Sequence, residues 1–301
     1  MSPLSSTCDL GSVYAPRVVA EEVIMENTTV VLFSGGLDSL ACYYWAVDQR
    51  RREKPYSSTI VGLYVDLATP YSQVEMGVAR DMCKSLGIKL NIVPMRFMGE
   101  LSDKVGHVPL RNIFLLEIAA LYGNKVMFGM LHGELSEDKG FPFLRRMQGL
   151  FDTQTIKNLY HDESKIKLYA PFGNKTKTDV VRFLLTHNVT SQQLRKTVGC
   201  LRGTVCGECP PCFNRWMAFE NNTLFDIDKY PQDIHPAIWG LQEMKASRSG
   251  NKNMFKRSLL SIPLWEKRKW IRDVWKAYKS AYNRGVILEN PRMVLKQIIG
   301  V

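Results

Sequence analysis

Two short stretches of this 301-residue chain gather residue types able to do chemistry: Ser34-Gly-Gly-Leu-Asp-Ser39, and the four cysteines 200, 206, 209 and 212. In the first, an apolar run stops at two glycines, which let the backbone turn tightly with its N–H groups converging on one small space. A helix-like pattern follows at once, so unpaired N-terminal N–H groups and the positive end of a helix dipole face the same space. The hydroxyls of Ser34 and Ser39 add donors, and the result is an anion nest of phosphate size. Asp38 conflicts with an anion until Mg²⁺ stands between its carboxylate and the phosphates. The turn lacks the lysine of a Walker loop and the spacing of a dinucleotide fingerprint. It suits a pyrophosphate that departs as a unit.

In the second stretch, Cys206, Cys209 and Cys212 form a C-x₂-C-x₂-C core with Cys200 upstream. Four thiolates close a tetrahedral shell around Zn²⁺ and leave no place for water, which makes the site structural. An iron–sulfur cluster uses the same ligands, but the bacterial ferredoxin run orders its cysteines differently, so Zn²⁺ is expected. Cys42 and Cys83 fall on helical patterns, as small buried hydrophobes would. The first residues lack a basic segment followed by an apolar one, and no run reaches the roughly 18 apolar residues of a membrane span. A cytoplasmic protein without membrane contact is expected, and there clustered cysteines favour metal over disulfides.

These residues need a scaffold. Apolar runs at Thr29–Phe33, Thr59–Val65, Leu90–Pro94, Lys125–Met130 and Lys167–Tyr169 read as strands. Helical patterns lie between and after them, at Leu37–Gln49, Gln73–Leu86, Leu110–Tyr122 and Lys177–His187, the last capped by Thr176 or Thr178. Such alternation predicts an α/β fold, a doubly wound parallel sheet, with ligands at the carboxyl ends of the strands. The segments to inspect are Ser34–Ser39, Asp66–Tyr71 and Gly129–Asp138. Three parts are expected: an N-terminal arm, 1–27, a nucleotide domain that includes the four-cysteine zinc site, 28–220, and a basic helical extension, 221–301.

The chain carries a formal charge of +11, and from residue 226 onward 15 Lys and Arg stand against 7 Asp and Glu. Within 264–282, Ile271, Val274, Trp275, Tyr278 and Tyr282 share one helical face, with Lys267, Arg268, Arg272, Lys276 and Lys279 mostly elsewhere. That helix either docks its aromatics on the main domain with a solvated basic face, or offers a surface to nucleic acid or a protein partner.

The turn Ser34–Ser39 resembles the PP-loop of the N-type ATP pyrophosphatases, whose fold is the adenine nucleotide alpha hydrolase-like (HUP) domain. With the later four-cysteine site it resembles, more narrowly, the 7-cyano-7-deazaguanine (preQ0) synthase family, which makes a queuosine precursor. The likeness runs from about Thr28 to Phe219. Tyr71-Ser-Gln-Val-Glu75 is similar to the family's Y-G-Q-x-x-x-E region, though one residue shorter. Val108-Pro-Leu-Arg-Asn112 is similar to V-P-x-R-N, Ala170-Pro-Phe172 with Lys175–Asp179 to A-P…K-x-(E/D), and Cys206–Arg215 to C-G-x-C-x-x-C-x-x-R.

The resemblance implies an ATP-dependent carbon–nitrogen ligase acting on 7-carboxy-7-deazaguanine and ammonia. The carboxylate is activated as an acyl-adenylate, ammonia gives the amide, and a second activation gives the nitrile. It also implies roles. Ser34, Gly35, Gly36, Leu37, Asp38 and Ser39 would hold the pyrophosphate of ATP and its Mg²⁺. Arg111 would meet phosphate or carboxylate through its planar fork, Asn112 a base or ribose, and Lys175 a phosphate. Where the family has Y-P-D-C-R, this chain has Phe141-Pro-Phe-Leu-Arg145. The lost acid would face the donor edge of a guanine-like base, and Glu134, Glu137 or Asp138 could replace it; otherwise the substrate differs or the product stops at the amide. His132, in the same segment, is a proton carrier or a structural histidine. Two rivals remain: a PP-loop thiolase or amidotransferase acting on tRNA, for which Cys42 and Cys83 are the spare thiols, and a non-catalytic zinc-stabilised nucleic-acid-binding protein. The sequence leaves the oligomeric state open, a homodimer included.

Overall fold

The structure, a computed structural model, describes residues 27–53, 58–102, 108–132, 138–153, 165–231, 234–248, 264–293 and 296. Residues 1–26 of the N-terminal arm, Glu134 and Glu137 lie outside the described residues. Five strands form one parallel sheet: β1 (Thr28–Leu32), β2 (Thr59–Asp66), β3 (Leu90–Pro94), β4 (Lys125–Met127) and β5 (Lys167–Tyr169). Their order is β3-β2-β1-β4-β5. The chain builds outward from β1 in one direction and then returns to β1's other side as β4. The switch point therefore lies between the carboxyl ends of β1 and β4, where such sheets bind ligands.

The short apolar strands suit a sheet covered on both faces. Along β1 the side chains alternate, Val30 into one buried cluster and Val31 into the other. On the Val31 face lie α1 (Leu37–Arg52), α2 (Ser72–Leu86) and α6 (Lys177–Thr186), through residues such as Ala41, Ala79 and Leu184. On the Val30 face lie α3 (Phe97–Glu100), α4 (Arg111–Ala120) and α5 (Phe141–Thr153), through Met98, Leu116 and Met147. This is the expected doubly wound α/β fold. Thr176, not Thr178, caps α6; it accepts from the Asp179 N–H while the Asp179 carboxylate accepts from the Thr176 N–H.

After α6 come α7 (Ser191–Lys196), α8 (Pro210–Glu220), α9 (Pro236–Arg248) and α10 (Leu264–Asn283). A third apolar cluster joins Phe213, Trp216 and Met217 of α8 to Ala237 and Leu241 of α9 and to Val274 and Tyr278 of α10. Tyr278 Oη donates to Ala237 O at 2.6 Å, and Arg284 forks onto Glu220 at 2.8 and 3.2 Å. The docked face of α10 is Trp270, Val274, Ala277, Tyr278 and Ala281. This corrects the sequence reading: Tyr282 is exposed and Ala277 and Ala281 take the buried positions, because their small side chains let the helix lie close. No described helix is long and apolar enough to cross a membrane.

Candidate functional site

The turn Ser34–Ser39 links β1 to α1 at the switch point. Gly35 has φ +74°, and a Cβ there would stand 2.8 Å from Val78 Cγ1 and 3.1 Å from the Ala79 nitrogen, so glycine is required. Gly36 caps α1 without a side chain, which leaves the first-turn N–H groups of α1 facing the strand ends. Gly129, just past β4, is also tight: a Cβ there would lie 3.3 Å from Asp38 Cβ. Ser39 Oγ donates back to Gly36 O at 2.9 Å and fixes the curve of the turn. Leu37 is buried and anchors α1 in the core.

Asp38 carries the main electrostatic feature. Its Oδ2 accepts from Lys177 Nζ at 2.5 Å, and its Oδ1 is buried with no hydrogen-bond partner among the described residues. A buried carboxylate oxygen without a donor is costly, and a cation beside it removes the cost. The donor chemistry therefore fits Mg²⁺ between Asp38 and phosphates held by the turn.

Lys177 is the residue that sequence reasoning missed. Lys175 is exposed, and its carbonyl accepts from His132 N at 2.9 Å, whereas Lys177 is half-buried and reaches Asp38. The signal was present in Thr176-x-x-Asp179: a capping box makes Thr176 the cap, so Lys177 opens the helix and projects toward the strand ends.

Arg111 and Asn112 begin α4 after Leu110, whose φ is +55°. The buried Asn112 amide donates to Asp138 O at 3.0 Å, and the Asn112 N–H to Asp138 Oδ2 at 3.2 Å. Asn112 thus holds Asp138, whose carboxylate sits at the positive end of α4. Across the site, Glu75 lies in the first turn of α2. Burial pushes its carboxyl up to about 7, against the opposing pull of the Arg111 guanidinium and of the Tyr64 hydroxyl. The Phe141–Arg145 segment opens α5; Phe143 is buried with its ring 6.5 Å from Phe128, and Leu144 packs partly into the same cluster. That segment serves the core in this chain.

The four sulfurs of Cys200, Cys206, Cys209 and Cys212 lie within 4.8 Å of one another, all buried, and could hold a metal ion. Hydrogen bonds from Cys209 and Cys212 lower the Cys200 thiol, while the bond to Cys200 raises Cys209. Without a cation the group can carry little negative charge. Cys209 caps α8, and Pro210 and Pro211 follow, residues suited to a helix start.

The cysteine segment is tied to the glycine turn. Val198 N donates to Gly35 O at 3.0 Å, and Val198 O lies 3.1 Å from where a Gly36 Cβ would be. Arg215 on α8, buried, forks onto Asp228 at 2.7 and 3.0 Å and also donates to Leu194 O at 3.0 Å and to Thr197 Oγ1. The arginine that ends the cysteine motif thereby fixes the residues leading into Val198, a structural task its sequence position did not reveal.

Known proteins resemble this chain. The family model described as "Queuosine biosynthesis protein QueC" matches residues 28–105 and 102–223. A 7-cyano-7-deazaguanine synthase of Psychromonas ingrahamii is 26% identical over 236 residues, 68% of this chain and 99% of that protein. The enzyme of the same name from Persephonella marina is 28% identical over 223 residues, 66% of this chain and 95% of that one. Among solved structures, the U34-tRNA thiolase NcsA of Methanococcus maripaludis, with its [4Fe-4S] cluster, shares 15% identity at a TM-score of 0.36 over 56% of this chain and 59% of that one. The family match spans more than half of the chain, from β1 through the cysteine site and α8, and on that ground the protein belongs to the QueC family.

Proposed function

We propose that this protein converts 7-carboxy-7-deazaguanine and ammonia to 7-cyano-7-deazaguanine with ATP, through an acyl-adenylate and an amide. The observation that carries this reading is the glycine turn with Asp38, orphaned at Oδ1 and paired to Lys177 at Oδ2, at the switch point of a QueC-family sheet. A carboxylate is a poor electrophile, and adenylation turns one of its oxygens into part of a leaving group. The turn's N–H groups grip the β- and γ-phosphates, and Lys177 moves its charge onto the departing pyrophosphate. Mg²⁺ at Asp38 would supply charge neutralisation there. Arg111 orients the substrate carboxylate. Asp138, the one of the three candidate acids among the described residues, would replace the family's lost acid against the donor edge of the base.

A sulfur-transfer reading would typically need a catalytic cysteine pair or a sulfur carrier. Burial pushes both spare thiols up, Cys83 to about 12, which leaves neither nucleophilic. For the cysteine site, Cys200–Cys209 and Cys206–Cys212 sulfur distances of 4.0 and 3.9 Å support a single Zn²⁺. Four thiolates at about 2.3 Å in a tetrahedron stand ~3.8 Å apart, whereas an iron–sulfur cube binds each thiolate through its own iron and spreads them further.

The test is incubation with ATP, Mg²⁺, ammonium and 7-carboxy-7-deazaguanine, followed by mass spectrometry. AMP, pyrophosphate and nitrile are expected, with amide appearing first. No AMP with this substrate would refute the assignment, and amide as the final product would refute the nitrile step.

The basic extension carries a second partner. Arg268, Arg272, Lys276 and Lys279 are exposed on α10 at steps of four, four and three residues, one continuous face. The one acid on residues 268–283, Asp273, is buried, with its Oδ1 3.5 Å from Arg272 Nε, so it offsets part of the stripe's charge. Such a stripe suits a nucleic-acid phosphate backbone. Retention on single-stranded RNA should weaken steeply with salt, and Arg272→Glu with Lys276→Glu should lower affinity at least about tenfold. Unchanged binding in that variant would remove the surface.

A further inference from the structure

Glu75 has no assigned part in the reaction, yet its place is specific. Ala79, one turn along α2, has its nitrogen 3.1 Å from where a Gly35 Cβ would be, and Val78 meets the same glycine. Residues four apart share a helix face. Glu75 therefore lies on the face that meets the glycine turn, one turn nearer the strand ends. From the opposite side it feels the charge of Arg111 on α4. The carboxyl thus lies on the face of α2 that meets the turn proposed to hold ATP, and within electrostatic reach of the arginine proposed to hold the substrate carboxylate.

Its bonding also differs from a structural carboxylate's. Tyr64 Oη lies 3.0 Å from Ser72 O and 3.4 Å from Glu75 Oε2. A phenol has one proton, and a carbonyl cannot donate. With that proton on Ser72 O, the contact to Glu75 is made by a proton on Glu75; with Glu75 ionised, the hydroxyl can turn to it instead. Tyr64 can therefore partner Glu75 in both protonation states. The charged and titratable groups facing Glu75 are Arg111 from α4 and Tyr64 from β2; Asp66, near Tyr64, is engaged by Arg96 at 3.2 Å. No ion pair of Glu75 with a lysine or arginine is formed among the described residues.

We infer that Glu75 is the catalytic base that takes a proton from bound ammonium and so generates the ammonia that attacks the acyl-adenylate. The inference rests on the reaction proposed above. One N–H bond of ammonium breaks and its proton passes to a Glu75 oxygen. The freed lone pair forms the C–N bond as the carbonyl C–O bond to AMP breaks, and that electron pair leaves on AMP. A second proton leaves the new nitrogen to solvent, and Glu75 releases its own proton to solvent before the next cycle. A carboxyl raised to about 7 matches this task, because it is ionised enough to accept and basic enough to hold the proton.

Hydroxylamine separates a base from a scaffold, since it is already neutral at neutral pH and needs no deprotonation before attack. In Glu75→Gln, ammonium-dependent amide formation should fall about 10²–10⁴-fold, while hydroxamate formation from hydroxylamine stays within a few-fold of wild type. Equal loss with both nucleophiles, or no loss with ammonium, would overturn the inference. In the unaltered protein, turnover at fixed total ammonium should rise with a midpoint near 7. Tyr64→Phe, which removes a partner that lowers the Glu75 pKa, should move that midpoint upward; an unmoved midpoint counts against the inference. Substrate-dependent exchange of pyrophosphate into ATP reads the adenylation step without any nitrogen nucleophile. Its absence in the unaltered protein would fault the proposed reaction, and its presence alongside a failed hydroxylamine test would fault Glu75 alone.

Discussion

Asp38→Ala should lower the rate of AMP and pyrophosphate release by about 10³-fold or more while leaving metal content and melting temperature near those of the unaltered protein. On the proposed reading a cation and Lys177 meet the phosphates at this carboxylate, so its loss removes charge stabilisation that matters most as pyrophosphate departs. Stability should change little, because the residue removed includes a buried oxygen with no partner among the described residues, and the remaining Lys177 is only half-buried. Asp38→Asn is the sharper control. It keeps the shape and loses the charge, and it should be almost as inactive. Turnover in Asp38→Asn within tenfold of normal would mean that the group acts by shape, and the cation assigned to it would have no basis.

The opposite pattern is expected at the cysteines. Cys209→Ser should abolish tight metal binding and lower the melting temperature by more than about 10 °C. Structural zinc contributes binding free energy on the order of 10 kcal/mol to folding, and ~1 kcal/mol moves the midpoint of a domain of this size by roughly 2–4 °C. The effect should reach the chemistry through connected elements. Cys200 follows Val198, which holds Gly35 by a 3.0 Å bond, while Cys209 and Cys212 fix the start of α8, from which Arg215 holds Leu194 and Thr197. Pyrophosphate exchange should therefore fall along with stability. A Cys209→Ser protein that melts normally and exchanges normally would show the thiolates to be independent of the turn.

The strands and the turn were legible because their signals are local. β3 and β5 fall at the residues their apolar runs indicate, and the double glycine marks a backbone conformation that the +74° φ of Gly35 bears out. What escaped had either a weak local signal or one that depends on partners distant in sequence. The run from Phe141 to Thr153 holds Pro142 and Gly149, which weaken any helical reading, yet Phe143, Met147 and Phe151 at four-residue spacing bury one face of α5. Lys175 and Lys177 are alike in type, and only the cap at Thr176 decides which one faces Asp38. The α10 face was misplaced because aromatic residues were weighted above alanines, and close helix packing favours the alanines. Glu75 gives no sign in sequence of its raised pKa, which follows from burial among residues of β2 and α4.

The most direct test follows an oxygen atom. With 7-carboxy-7-deazaguanine labelled with ¹⁸O in its carboxylate, adenylation makes a carboxylate oxygen the bridge to phosphorus, so AMP released with ammonia should carry ¹⁸O and pyrophosphate none. Label in pyrophosphate or inorganic phosphate, or AMP without label, would contradict attack of the carboxylate on the α-phosphorus and with it the account of this site.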